Sequence, residues 1–463
     1  MKSDTIAAIA TALSDSGIGI IRVSGPRAID TVHKIFQTKS GKHPLKDYES
    51  HTIHYGFIAD GEDIIDEVMV SLMKAPKTYT REDTVEINCH GGVLLMQRVL
   101  QAVLNNGARM AEPGEFTKRA FLNGRIDLSR AEAVMDLIHS KNEFAMKSSV
   151  KQLRGSVSEE IKSLRAAILY EIAFIESALD DPEHISTDGY REKLEEKVKE
   201  LSGRLKKLLD SADNGKMLKE GINTVIVGKP NAGKSSLLNL LVGEEKAIVT
   251  SVAGTTRDAL EESIRLRGIG LNIIDTAGIR STEDIVEKIG VDKARKFAAG
   301  ADLILYVVDS SVELDESDRQ IMEMIRGKKT VVLLNKTDLE PVVSEEGFRE
   351  AFGENSEEIR IIKTSTKENT GIEEFESVIQ ELFFHGEIRM DNEVVITNMR
   401  HKEAIQEAYN SLLMVKRSLE DDMPEDFYSI DLMSAYTSLG FIIGEEVGDD
   451  LVNEIFSKFC MGK

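Results

Sequence analysis

The sequence predicts a multidomain protein: an α+β N-terminal domain, a central α-helical domain, and an α/β domain with a phosphate-binding loop inserted into the helical one. Three observations carry this. A chain of 463 residues is too long for one hydrophobic core. Its apolar texture changes along the chain, from alternating runs to helical stepping, then to short strands alternating with helices, then back to helical stepping. A glycine-rich loop stands where the strand–helix alternation begins.

Residues 1–120 mix short β-type runs with turns. "MKSDTIAAIATAL" reads as a buried strand rather than a secretory signal, because Asp4 interrupts it and no clear cleavage site follows. "DEVMVSL" alternates Val68, Val70 and Leu72, and "TVEINCHGG" sets Val85 and Ile87 on one face before a glycine turn. "VLLMQRVLQAVLNNG" follows as a helix stopped by Gly107. In residues 121–215, Ile161, Leu164, Ile168, Ile172, Ile175 and Leu179 step as a helical stripe. "DDPEHISTDG" breaks the stripe, and Leu194, Val198, Leu201, Leu205 and Leu208 resume it in a charged background. Two long amphipathic helices packed on one another are expected, their Glu/Lys-rich faces solvated.

"SADNGKMLKEG" reads as a linker into the inserted domain, residues 216–384. There "TVIVG", "LNIIDTAG", "ADLILYVVDSS" and "KTVVLLNKTD" have the continuous apolar character of buried parallel strands with helical crossovers. Residues 385–463 return to the helical domain, with Ile405, Leu412, Val415 and Leu419 in one stripe.

Composition narrows the class. At 41% hydrophobic and 30% charged residues, the chain reads as an ordinary soluble globular protein. No apolar run reaches the roughly 18 residues of a membrane span. The two cysteines cannot build a disulfide framework and have no metal-type spacing, so a reducing cytoplasm is expected. Cys89 falls on a strand and reads as core. Cys460, in "SKFCMGK", is either an incidental thiol on a frayed end or a placed one. A net charge of −22 repels phosphate backbones, so any RNA contact needs a local basic patch or a more basic partner.

The chemistry concentrates in the inserted domain. "VIVGKPNAGKSSLLNLL" puts Gly228 and then Gly233, Lys234 and Ser235 at phosphate-loop spacing, between a strand and a helix. Backbone N–H groups there surround phosphates, Lys234 adds a point charge, and Ser235 offers a hydroxyl to Mg²⁺. "DTAG" (Asp275, Thr276, Ala277, Gly278) supplies a Mg²⁺-side aspartate and an N–H for a γ-phosphate, and "GTTRD" a switch threonine. "NKTD" (Asn335, Lys336, Thr337, Asp338) closes a strand with a carboxylate able to accept from N1–H and the exocyclic amine of guanine, an edge adenine lacks. "STK" (Ser365, Thr366, Lys367) has the spacing of a last guanine-binding loop. GTP binding and hydrolysis are expected. The position where Ras-like proteins carry a water-orienting glutamine is Ile279, and no arginine finger is evident, although Arg257 and Arg280 are near. Asn231 could instead hold a monovalent cation against the phosphates, and Glu287 could position water or be an exposed loop carboxylate.

These motifs, together with "GIGIIRVSGP", "YTREDTVEINCHGG", "PGEFTKRAFLNGRIDLSRAEAVMDLI" and the terminal "CMGK", closely resemble the MnmE (TrmE) tRNA-modification GTPases over essentially the whole chain. The resemblance implies a folate-binding-like N-terminal domain that dimerises, and a Ras-like G domain inserted in the helical domain. GTP would be held by Asn231, Ala232, Gly233, Lys234, Ser235 and Ser236, and by Thr250, Ser251, Val252, Ala253, Gly254, Thr255 and Thr256, with the "DTAG", "NKTD" and "STK" residues. It also implies potassium on Asn231, Thr250, Val252 and Thr255, magnesium on Ser235 and Thr256, and Glu287 as the catalytic glutamate. GTP is then hydrolysed when two G domains meet face to face. A tetrahydrofolate derivative would be bound by Arg22, Glu82, Arg125 and Lys463, with Cys460 beside the transferred carbon and activated by a nearby lysine. Two positions depart from the family: Arg81 replaces the usual glycine of "YTGED", and Arg125 stands where lysine is common.

The activity so implied is a potassium-dependent GTPase that, with the flavoprotein MnmG carrying FAD, places an aminomethyl or carboxymethylaminomethyl group on carbon-5 of wobble uridine in certain tRNAs. The expected assembly is a homodimer joined by MnmG in a heterotetramer or larger complex, with no membrane contact. A regulatory or ribosome-assembly GTPase without covalent chemistry is the alternative. A nucleotide-dependent small-molecule kinase is disfavoured by the guanine-reading "NKTD".

Overall fold

The computed structural model describes residues 4–38, 44–140, 142–244, 262–266, 269–274, 300–353, 357, 359–384, 394–445 and 447–462. It divides into two compact units. One comprises residues 1–138, 151–195 and 410–463, the other residues 139–150 and 196–409.

The first unit begins with a seven-stranded sheet. Its strands are β1 (Ile6–Ile9), β2 (Ser16–Ser24), β3 (Phe36–Gln37), β4 (Thr52–Asp60), β5 (Asp63–Met73), β6 (Thr84–Gly91) and β7 (Arg109–Met110), in the order β3-β4-β5-β6-β2-β1-β7. The pairs are antiparallel except β1 with β7. Helices α1 (Ala28–Ile35) and α2 (Val93–Asn105) cover one face, and Val32, Met96, Val99 and Val103 meet Ile21, Val70, Leu72, Val85 and Ile87 in one core. The period-two alternation of β5 and β6 thus does what the sequence expects: Val68, Val70, Leu72, Val85 and Ile87 are all buried. The opening apolar patch is indeed a strand, β1, whose Ile6 and Ala8 pack on the other face against Phe116 of α3 (Glu115–Leu122).

The same unit continues through α4 (Leu128–Ile138), the end of α5 (Glu143–Arg154), α6 (Ser156–Asp180) and the start of α7 (Tyr190–Glu220). Its last part follows the later helices in the chain and includes α13 (Glu425–Ile443) and α14 (Asp449–Ser457). Along α6, Ile161, Leu164, Ile168, Ile172 and Ile175 are buried as the stripe predicts. Leu179 is not: it is 46% exposed, and Ala178 takes the buried position at the last turn. Phe121, Leu128, Ala131, Val452, Phe456 and Phe459 form a cluster under the C-terminal segment.

The second unit carries a six-stranded sheet, β8 (Ile222–Val227), β9 (Glu262–Leu266), β10 (Ile269–Ile273), β11 (Leu303–Asp309), β12 (Thr330–Asn335) and β13 (Arg360–Lys363), ordered β13-β12-β11-β8-β10-β9. All pairs are parallel except β9 with β10. Both faces are covered, one by α8 (Lys234–Glu244) and α11 (Ile372–Phe384), the other by α9 (Glu316–Ile325) and α10 (Glu345–Phe352). That explains strands with no polar face: every residue of β12 is buried. Between α11 and α13 comes α12 (Met399–Glu420), whose Ile405, Leu412, Val415 and Leu419 are buried.

One expectation is corrected here. "SADNGKMLKEG" is not a linker: residues 211–220 continue α7, which ends at Glu220 with Gly221 in left-handed backbone, φ 90°. The polar, glycine-containing composition has a packing cause. Gly215 is buried, and a Cβ on it would stand 2.2 Å from the carbonyl oxygen of Ile396. A glycine is required there by contact, not by flexibility.

Candidate functional site

The second unit holds its phosphate-type loop at the carboxyl end of β8, where a doubly wound sheet opens to ligands. Gly228 (φ 151°) leaves the strand with no room for a side chain, since a Cβ would stand 2.3 Å from the Val307 carbonyl oxygen. Asn231 takes a left-handed backbone (φ 61°) and Gly233 follows at φ 107°. Lys234 opens α8, and its Nζ donates to the carbonyl oxygens of Gly228 and Lys229, each at 2.6 Å. Burial of this ammonium pushes its pKa below the usual lysine value. It is therefore a cation drawn out of water and ready to exchange its carbonyl contacts for an anion. Ser235 lies half-buried in the first turn of α8, at the helix end where the dipole favours negative charge.

Two later segments are assembled against that loop. Asn335, buried at the end of β12, donates from Nδ2 to the Ala232 carbonyl at 2.9 Å, while its Oδ1 accepts the Thr366 N–H at 3.2 Å. One amide thus joins the phosphate loop to the "STK" loop. Gly233 must be glycine for the same reason: its Cβ would lie 2.1 Å from Asn335 Nδ2. Thr337 donates its N–H and hydroxyl to the Thr364 carbonyl at 3.2 and 3.0 Å. Asp338 accepts from Ser365 Oγ at 2.8 Å, and Lys367 Nζ is 3.7 Å away. The serine bond first, and then the lysine, holds this carboxyl below the ordinary aspartate value. It stays ionised, as an acceptor for two N–H donors on a base must.

Two partners here have little signature in the sequence. Lys336, in left-handed backbone (φ 64°), pairs with Asp309 at 2.5 Å. Asp309 is the last residue of β11, directly opposite Asn335 in the parallel register, so strand adjacency was the signal that could have found it. Burial alone would raise the Asp309 pKa, but the bonds from Lys336 and Ser311 outweigh it and hold the carboxyl down. The second is Lys229, whose Nζ reaches Asp318 at 2.6 Å and Asp315 at 3.0 Å, fixing the phosphate loop to the capped start of α9. Thr250, Ser251, Val252, Ala253, Gly254, Thr255, Thr256, Asp275, Thr276, Ala277, Gly278 and Glu287 lie outside the described residues, as does Lys463.

In the first unit the C-terminal segment is docked, not frayed. Gly114 donates its N–H to the Cys460 carbonyl at 3.4 Å, and Arg22 Nη1 donates to the Gly462 carbonyl at 3.0 Å. Gly462 (φ 82°) passes so close to Ile9 that a Cβ would stand 2.5 Å from its carbonyl oxygen. The Cys460 side chain is exposed. Cys89 is the opposite case: buried, donating to the Gly19 carbonyl at 3.4 Å, its thiol pushed up to about 11 by burial and then by Asp66.

Arg22 also pairs with Glu86 at 2.8 Å, and its guanidinium lies 5.9 Å from the Tyr79 ring centroid. Arg125 lies 4.7 Å from the same ring and donates to the Tyr79 carbonyl at 3.3 Å. Tyr79 is therefore the shared neighbour of two of the expected folate residues; it opens the "YTREDTVEINCHGG" stretch, but the sequence alone assigned it no role. Glu82 is tied inward, accepting from Ser24 at 2.9 Å and from Arg119 at 3.1 and 3.2 Å. Arg119 in turn meets Glu115 and Asp4, so Glu82 belongs to a charged network linking the start of β1 to α3.

The family description "MnmE helical domain" matches residues 128–460, and "GTP-binding protein TrmE N-terminus" matches residues 5–125. The protein named "tRNA modification GTPase MnmE" in Lachnoclostridium phytofermentans is 57% identical over 463 residues, covering 100% of both chains. Proteins of the same name in Alkaliphilus metalliredigens and Clostridioides difficile are 49% and 48% identical, each covering 99% of both chains. Among solved structures, the G domain of the T. maritima FeoB iron transporter is 27% identical, spans 35% of this chain and 97% of its own, and gives a TM-score of 0.26. With a loop, a lysine and a guanine-type carboxylate assembled in one unit, and full-length relatives at this identity, the chain belongs to the tRNA modification GTPase MnmE family.

Proposed function

We propose that this chain is a potassium-dependent GTP hydrolase that works with the flavoprotein MnmG to install an aminomethyl or carboxymethylaminomethyl group at carbon-5 of wobble uridine in certain tRNAs. The observation that carries the nucleotide half is the join made by Asn335 between Ala232 and Thr366, with Asp338 ionised beside it. Phosphate and base recognition are pre-assembled as one unit. Guanine is preferred because adenine would leave the Asp338 carboxylate facing an acceptor instead of two donors.

The donor set suits the implied metals. Asn231 is exposed at a left-handed turn of the loop, and its amide makes no hydrogen bond among the described residues. That oxygen is available to a hard monovalent cation, and Ser235 supplies a hydroxyl for Mg²⁺. Bound there, the two cations would offset phosphate charge that a guanidinium neutralises elsewhere. In this reading Thr250, Val252 and Thr255 complete the potassium site, Thr256 the magnesium site, and Glu287 positions water.

The docked C-terminus supports the other half. Arg22 donates to the Gly462 carbonyl and, like Arg125, lies by the Tyr79 ring, a setting for a tetrahydrofolate derivative with Cys460 near its one-carbon group and Lys463 completing the set. Dimerisation through the N-terminal domain, residues 1–120, is supported by an exposed apolar patch. Tyr55 and Met69 pair across β4 and β5, each 49% exposed, and Ile53 beside them is 67% exposed. MnmG would bring FAD and most of the tRNA contact, given the −22 charge of this chain. The site of action is the cytoplasm, where tRNA is found.

The test is nucleoside analysis of tRNA from cells lacking this protein, complemented with wild type or with Cys460→Ser. Wild type is expected to restore the modified wobble uridine. Cys460→Ser is expected to lose it while GTP hydrolysis by the purified variant persists. Normal nucleosides in the uncomplemented cells would overturn the modification role, and normal nucleosides in the variant would remove the thiol from it.

A further inference from the structure

A cavity of about 440 Å³ opens beside the Arg125–Tyr79 pair, and Met73, Pro76, Lys77, Tyr79, Arg81 and Arg125 line it. No carboxylate is among its lining residues. Lys77, Arg81 and Arg125 are exposed, and none forms an ion pair among the described residues. In a chain of net charge −22, three cations around one cavity without an acidic partner are an excess that some anion would satisfy.

Arg81 sharpens the point. It occupies a left-handed backbone position (φ 60°), where a glycine would be unstrained. The side chain is held by donation from Nη1 to the Asn123 carbonyl at 2.9 Å, and Asn123 donates back to the Thr80 carbonyl at 2.6 Å. A long cationic side chain is thus fixed at a strained position on the cavity wall, with guanidinium donors left over.

We infer that Lys77, Arg81 and Arg125 receive the multiply charged γ-glutamyl tail of a folate carrier, so that this protein selects polyglutamylated over monoglutamylated folate. The inference rests on the folate reading of Arg22, Glu82 and Arg125. Each added glutamyl residue brings one carboxylate. Arg125 can meet the first, and Lys77 and Arg81 extend the positive wall to later ones. Arg81 contributes directionality that Lys77 does not, since its planar fork can pair two carboxylate oxygens at once.

The experiment is equilibrium binding of 5-formyltetrahydrofolate with one and with three glutamates to the full-length protein, wild type, Arg81→Gly and Lys77→Ala. Wild type is expected to bind the triglutamate about tenfold more tightly, and each substitution to reduce that ratio about threefold while monoglutamate affinity holds. The preference should shrink as salt rises from low to physiological strength. Equal affinity of wild type for both forms would overturn the tail site and leave the folate reading standing. Absence of binding by either form would remove the folate reading itself. If Arg81→Gly weakened tRNA binding and left the glutamate ratio unchanged, the cations would belong to RNA phosphates and the inference would fall.

Discussion

Asp338 owes its job to two neighbours rather than to burial. Ser365 and Lys367 keep it ionised at a half-buried position, so its oxygens can receive a base edge without first losing a proton. Replacing it with asparagine exchanges an acceptor for a mixed donor and acceptor of nearly the same shape. Asp338→Asn is expected to weaken GTP binding about a hundredfold, because hydrogen bonds to charged groups are the strong ones. It should improve binding of xanthosine triphosphate, whose C2 carbonyl can accept from the new amide. Competition against a fluorescent guanine nucleotide reads both, and undiminished GTP affinity would contradict the assignment. The sequence announced Asp338 through its motif spacing. It assigned no role to Tyr79, Arg119 or Asp309, although all three stand in its apolar runs and motifs, because each acts through a partner distant in sequence: Arg22 and Arg125, Glu82, and Lys336.

At the level of elements, periodicity was legible wherever one face of a helix or strand is buried. The stripes of α6 and α12 and the alternation of β5 and β6 are of this kind, and the continuous apolar runs of β8, β11 and β12 gave the parallel sheet. Composition misled where a glycine serves contact. Residues 211–220 look like a linker because they are polar and contain Gly215, yet they are the last turns of α7. A helix-interior Gly→Ala change ordinarily stabilises by up to about 1 kcal/mol. Gly215→Ala is expected to do the reverse, destabilising by about 1–3 kcal/mol, because the methyl meets the Ile396 carbonyl in a packed site. A lowered urea midpoint checks this, and a raised one would mean that the segment is a helix free of that contact.

On the scale of the whole molecule, the nucleotide unit and the unit holding the expected folate residues were legible in different ways. Contiguous motifs gave the first: loop, lysine, "NKTD" and "STK" converge as their order implies. The second depends on chain ends meeting. Arg22 reaches the Gly462 carbonyl across nearly the full sequence, a contact that no local pattern encodes and that only the family resemblance suggested. In the mechanism proposed for GTP hydrolysis, the Asn231 amide recruits a monovalent cation to the phosphate loop in place of an arginine finger. GTP hydrolysis by the wild-type protein and Asn231→Ala, measured in potassium and in sodium at one ionic strength, tests it most directly. The wild type is expected to turn over at least about tenfold faster in potassium, with Asn231→Ala slow in both salts and its nucleotide affinity within about threefold of wild type. Equal wild-type rates in the two salts, or a variant still accelerated by potassium, would contradict it.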